Sequence, residues 1–160
     1  HLHHPQYMGH QISPPAPTAA LAGLLADFLN NGMGVYEMGV AGTSLDRLVI
    51  QAVARKMGLP ATADGVMTSG GTLANVTALL TARSIQASEV VWTQGTRKQY
   101  ALMVSEQAHY CVDRAARIMG WGSAGIIKIP TRADYSMRTE LLEEYLAEAQ
   151  KKNIEVLAVV

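Results

Sequence analysis

Gly65-Val66-Met67-Thr68-Ser69-Gly70-Gly71-Thr72-Leu73-Ala74-Asn75-Val76-Thr77-Ala78-Leu79-Leu80 is a short apolar run, a pair of glycines and then an amphipathic stretch. That order predicts strand, glycine turn and helix start, with the strand over 65–69 and the helix over 72–85. Such a junction suits a phosphate. Two adjacent glycines let the backbone turn where a β-carbon is expected to clash, and the N–H groups of the helix's first turn face an anion with the helix dipole behind them. Thr72 adds a hydroxyl donor. An ordinary tight turn before a helix accounts for the same residues. Neither common nucleotide fingerprint is present: there is no G-x-x-x-x-G-K-[ST], and Gly65 with Gly70-Gly71 does not form G-x-G-x-x-G.

Toward the carboxyl terminus the rhythm stays strand and helix in alternation. Strands are expected over 100–105, 126–129 and 156–160, and helices over 110–119 and 138–152. Alternation of this kind implies an α/β protein with a mostly parallel sheet flanked by helices. Ligands in open sheets of this class gather at the carboxyl ends of the strands. The segments to interrogate are therefore Ser69-Gly70-Gly71-Thr72, Glu106-Gln107-Ala108-His109 and whatever follows Val160.

Toward the amino terminus, Leu21, Leu24, Leu25, Phe28 and Leu29 recur at helical spacing after a proline-rich entry, and Asn30-Asn31-Gly32 stops that helix. A second helix is expected to start at Thr43 or Ser44 as cap, to bury Leu45, Leu48, Val49, Ala52 and Val53, and to end at Gly58 and Pro60.

With 160 residues, 49% of them hydrophobic, the chain is expected to form a single core. Its 13 Lys and Arg balance 13 Asp and Glu, so no net field favours nucleic acid or an anionic membrane surface, and neither partner is expected. The one cysteine, Cys111, rules out an internal disulfide, and no stretch approaches the roughly 20 apolar residues of a membrane span. A reducing cytoplasm is the expected location. His1-Leu2-His3-His4 opens the chain without a methionine, and 154–160 closes it in an apolar run with no turn after it, so a piece of a longer polypeptide is expected. The opening histidines read as native sequence or as a tag remnant.

His109, at the end of a strand-to-loop segment, could be a ligand, a base, a ring-stacking platform or a hydrogen-bonded loop residue. Cys111 lies two residues on, a spacing that on a helix turns it away from His109, so it reads as a buried structural thiol and not as a nucleophile. His1, His3, His4 and His10 have no carboxylate or thiol at ligand spacing, and no metal is expected.

Four segments in order carry a more specific signal. His4-Pro5-Gln6-Tyr7-Met8-Gly9-His10-Gln11-Ile12-Ser13, then Tyr36-Glu37, then 64–75, then Ser105-Glu106-Gln107-Ala108-His109-Tyr110 closely resemble the pyridoxal-phosphate-dependent group II amino acid decarboxylases. That family includes the glutamate, cysteine sulfinate, diaminobutyrate and aromatic amino acid enzymes. The likeness spans essentially the whole chain.

The resemblance implies an aspartate-aminotransferase-like fold of type I, here incomplete, in which 1–63 form an amino-terminal helical, substrate-side segment and 64–160 the first half of the large domain. It implies pyridoxal 5'-phosphate as cofactor, with Gly71 and Thr72 on its phosphate, Ser69 and Gly70 shaping the turn, and His109 stacked on its ring as the catalytic residue of this stretch. It implies a homodimer, and an amino acid substrate lined by His10 and Gln11. Gln11 and Tyr36-Glu37 lean toward an acidic substrate, whereas the 68–72 wording is similar to bacterial diaminobutyrate enzymes. His10 departs from the asparagine usual in the acidic-substrate branch. The family's Schiff-base lysine, in a His-Lys motif, and its pyridinium-pairing aspartate fall beyond Val160. None of Lys56, Lys98, Lys128, Lys151 and Lys152 follows a histidine. The chain alone is therefore expected to be inactive. Rival readings are a phosphate-ligand module without covalent cofactor chemistry and a fragment serving only in assembly.

Overall fold

The computed structural model describes residues 4–9 and 14–160. The chain divides into two compact units, His1–Met67 and Thr68–Val160, in place of the single core expected.

In the first unit, α1 (Pro17–Leu29) starts on a proline, whose fixed φ and missing N–H suit a first turn, and stops where Asn30 turns left-handed at φ 45°. The helix α2 (Val40–Lys56) begins a turn earlier than its expected cap. Gly39 precedes it, and the Ser44 hydroxyl donates to the Val40 carbonyl inside the helix. Nothing between Gly39 and Thr43 competes with helix for the backbone, so the hydroxyls are not needed as caps. Gly58, at φ +74°, closes α2: its N–H reaches Arg55 O, and the Leu59 N–H reaches Ala54 O.

The stripe expected to be buried on α2 is not. Leu45, Leu48, Val49 and Val53 are exposed, as are Leu21, Leu24, Leu25, Phe28 and Leu29 on α1, and Ala54 is the one buried residue of α2. Helical periodicity shows that a face is apolar; burial needs a surface to receive it, and the first unit does not supply one.

Residues 65–69 are not a strand. A strand exists through its ladder partners, and no ladder includes these residues; Val66 and Met67 stay exposed.

The second unit holds the core. Its elements are α3 (Gly71–Gln86), α4 (Val91–Gln94), β1 (Gln99–Ser105), α5 (Cys111–Ile118), β2 (Ile126–Ile129), α6 (Leu142–Lys151) and β3 (Ile154–Val159). The three strands form a parallel sheet in the order β2-β1-β3. Leu102 pairs with Ile126 on one side and with Ala158 on the other, and the register slips beside Ala101 so that Leu157 has no opposite number. The continuous apolar run of β1 is what a central parallel strand requires, because helices cover both of its faces. Tyr100, Leu102 and Val104 pack with Leu79 of α3 and with Cys111, Val112, Ala115 and Ala116 of α5. Met103, on the opposite face, shares a groove with Leu142 and Leu146 of α6.

After α5, Gly120 turns left-handed at φ +82°, its N–H reaching Arg117 O, and the Trp121 N–H reaches back to Ala116 O at 3.0 Å. This glycine cap turns Trp121 inward against Tyr100, ring centroids 5.8 Å apart. The helix expected over 138–152 opens as a tight 3-10 turn, Thr139–Leu141, before α6. The short α4 is unheralded in the sequence because four residues carry no period.

Candidate functional site

At the start of α3, Gly70 is the N-cap residue and the first intrahelical bond runs from Ala74 N–H to Gly70 O at 3.1 Å. The N–H groups of Gly71, Thr72 and Leu73 precede that bond and have no carbonyl of their own helix to reach. No side chain caps the helix and no acid stands in its first turn. In contrast, α5 carries Asp113 and α6 carries Glu143 and Glu144 at the corresponding place. The first turns of α1 and α2 carry no acid either, so the positive end of α3 stands, as theirs do, without a carboxylate of its own helix.

The expected clash at the glycines is absent. A β-carbon at Gly70 or Gly71 meets nothing within 4 Å, and Gly70, at φ 165°, is extended backbone open to any residue. What the glycines provide is open space before the donors. Thr68 steadies the turn, its hydroxyl donating to Gly70 O at 3.1 Å, while Ser69 is exposed and Thr72 half-buried.

The second expected segment follows β1. Its backbone is pinned where Glu106 N–H donates to Ile129 O at 3.0 Å and Ala108 N–H to Ser105 O at 2.8 Å. The Glu106 carboxylate accepts from Thr131 twice, from the hydroxyl at 2.6 Å and the N–H at 3.1 Å. Those bonds hold its pKa below the ordinary glutamate value. His109 is exposed. Its Nδ1 accepts the Cys111 N–H at 3.3 Å, which assigns the hydrogen of the neutral ring to Nε2. The ring lies 4.1 Å, centroid to centroid, from that of Tyr110, over which the Arg114 guanidinium sits at 4.8 Å. His109, Glu106, Tyr110, Asp113 and Lys128 border a cavity of about 390 Å³ between the end of β1, α5 and β2. Residues 69–72 are not among its walls.

One bond joins the two segments. Asn75, one turn into α3, donates from Nδ2 to the Cys111 Sγ at 3.0 Å, bringing the amino ends of α3 and α5 together. Cys111 is 1% exposed, as befits a structural thiol. Sequence reasoning gave Asn75, Tyr110, Arg114 and Thr131 no role. A polar residue three positions after Thr72, on the turn above it, was the available signal for Asn75. His10 and Gln11 lie outside the described residues. Among the described residues no group of three or more His, Cys, Asp or Glu could hold a metal, and no helix is long and apolar enough to cross a membrane.

The carboxyl end of this parallel sheet presents an uncapped helix start and an exposed imidazole, and ligands of open α/β sheets gather at that end. Residues 1–160 match the pyridoxal-dependent decarboxylase conserved domain, and the chain belongs to that family. It is 32% identical over 148 residues to a glutamate decarboxylase-like protein of Gibberella zeae, covering 92% of this chain and 28% of that protein. To an L-2,4-diaminobutyrate decarboxylase of Rhizobium meliloti it is 31% identical over 143 residues, 89% of this chain and 28% of the relative. Among solved structures, it is similar to the glutamate decarboxylase domain of a diaminobutyrate-pyruvate transaminase and L-2,4-diaminobutyrate decarboxylase from Vibrio parahaemolyticus. There the TM-score is 0.86 at 25% identity, over 99% of this chain and 36% of the other. The chain therefore spans roughly a third of the length of these relatives.

Proposed function

We propose that this chain forms the cofactor-gripping part of a pyridoxal-phosphate-dependent amino acid decarboxylase. The observation that carries the reading is the Asn75–Cys111 bond, which sets the uncapped start of α3 beside the loop of His109. The donor set fits a phosphate dianion: backbone N–H groups at a helix start, the Thr72 hydroxyl close by, and no carboxylate in the first turn. Gly71 and Thr72 hold the phosphate, Ser69 and Gly70 leave it room, and the His109 imidazole covers one face of the flat ring. When bound, the cofactor supplies the electron sink that accepts the pair left behind as the substrate's α-carboxylate departs as CO₂.

The chain's own contribution is to bind and orient. The Cys111 N–H donates to His109 Nδ1 and so favours one orientation of the exposed ring. His10 and Gln11 contact the substrate, the glutamine amide donating to a carboxylate. An acidic or small polar amino acid is the favoured substrate, a reading in keeping with relatives named for glutamate, diaminobutyrate and aspartate, beside one named for aromatic amino acids. With no lysine after a histidine, these 160 residues alone do not turn over substrate. The exposed apolar faces of α1 and α2 support association as a homodimer, and the single reduced thiol suits the cytoplasm.

The test is cofactor retention in the full-length protein. Thr72→Ala and His109→Ala are each expected to weaken pyridoxal phosphate binding by roughly tenfold or more, since each removes a charge-assisted or stacking contact. Titration of the visible absorbance that borohydride abolishes measures it. Unchanged retention in both variants overturns the reading.

A further inference from the structure

A rigid ligand held at two places needs those places at a fixed separation. On the reading above, the phosphate grip belongs to α3 and the ring cover to the loop before α5, two segments more than thirty residues apart in the chain. Their link is short. Thr72 lies one helical turn before Asn75; Asn75 Nδ2 donates to Cys111 Sγ at 3.0 Å; and the Cys111 N–H donates to His109 Nδ1 at 3.3 Å. Cys111 is thus engaged at both ends, by its sulfur toward α3 and by its backbone toward the imidazole.

Cys111 is buried in the same core cluster as Leu102, Val112 and Ala115. A thiol sulfur is a weak acceptor, so the bond's worth lies less in energy than in direction. It fixes how far the start of α3 stands from α5, and through the Cys111 N–H it fixes the tilt of the His109 ring.

We propose that Asn75 and Cys111 are a positioning pair, which sets the distance and angle between the phosphate-binding turn and the stacking imidazole. This rests on the assignment of Thr72 and His109 to the cofactor. Neither member touches the reacting atoms. Loss of the pair lets the two helix starts drift, so a cofactor gripped at one place meets the other out of register.

The experiment uses the full-length protein in three measurements: pyridoxal phosphate affinity by titration of the apo form, visible circular dichroism of the bound cofactor, and thermal unfolding of the apo form. Asn75→Leu and Cys111→Val are each expected to weaken affinity about tenfold, and the double variant no further, because both remove one shared link. The dichroism should shrink alongside. Cys111→Ser, which keeps a side-chain acceptor at that place, should stay within about twofold of the parent affinity. Asn75→Ala, uncharged and without the donor, serves where the leucine variant does not fold, and should match the valine variant.

Parent affinity and dichroism in the Asn75 and Cys111→Val variants, with only the melting temperature lowered, would overturn the proposal by reducing the pair to packing. Additive losses in the double variant, or no rescue by serine, would do the same. The outcome is separable from the reading beneath it. Thr72→Ala and His109→Ala at parent affinity sink that reading, whereas loss in those two with no loss in the pair sinks only the pair.

Discussion

The two ends of the sheet in the second unit treat their polar groups in opposite ways. At the amino end, the Ser88 N–H and hydroxyl donate to the Glu155 carboxylate at 2.8 and 2.6 Å, Lys98 Nζ donates to Ser88 Oγ at 2.6 Å, and Glu89 accepts the Arg97 and Lys98 N–H groups. Burial opposes ionisation of Glu155, yet the Ser88 donors and Lys98 hold its pKa below the ordinary value. Burial, with Glu89 assisting, pushes the neighbouring Tyr100 phenol up to about 12. Ser88, Glu89, Lys98 and Glu155 satisfy one another and staple the α3–α4 connection to the starts of β1 and β3, while the buried Tyr100 hydroxyl has no hydrogen-bond partner. At the carboxyl end, Thr131 satisfies the Glu106 carboxylate, but the α3 donors have no cap, the glycines leave space in front of them, and His109 stands exposed. One end is closed by its own hydrogen bonds, and the other, on the proposed reading, receives the cofactor.

Substitutions should separate the two. The largest effect is expected from Gly71→Asp. A carboxylate at the first position of α3 complements the helix dipole and replaces a glycine inside a helix, so the apo protein should melt higher. On the proposed reading the same charge faces the phosphate, and like-charge juxtaposition costs several kcal/mol, so cofactor affinity should fall at least about a hundredfold. Calorimetry of the apo form and cofactor titration read the opposed signs, and a variant that binds as well as the parent breaks the contrast.

Ser88→Ala should do the reverse at the other end. It removes the hydroxyl donor to a partly exposed carboxylate and leaves the backbone N–H in place, and a loss of about 1 kcal/mol in denaturant unfolding is expected, with cofactor affinity unchanged. A change in affinity would show the two ends to be coupled.

The smallest effect concerns acid. Glu106 has a folded pKa below its unfolded one, the Thr131 hydroxyl and N–H being the main cause. As pH falls, the unfolded chain takes up this proton first, so the contribution is complete above the ordinary glutamate range and is lost as pH drops through the folded value. Thr131→Val removes the hydroxyl donor and should raise the Glu106 pKa toward the ordinary value, as carbon-detected NMR titration would read. The acid limb of the stability curve should become shallower. An unmoved titration would reassign the cause to the backbone N–H or to Lys128.

Much of this protein was legible in its residues alone. The central strand, α5 and α6 were legible from the alternation of strand and helix, and the ends of α1 and α2 through Asn30 and Gly58. The ordered segments around Gly71 and His109 named the family, because local chemistry at a glycine turn and a strand end is written in consecutive residues. Tertiary structure decided the rest. Residues 65–69 have the composition of a strand and no ladder to join; the stripe of α2 is apolar and uncovered; the glycines of the turn clear space instead of relieving a clash. The meeting of Asn75 with Cys111 depends on how two helices pack across a shared core, and pairing, burial and contact between distant segments belong to the folded arrangement, which no local window of sequence contains.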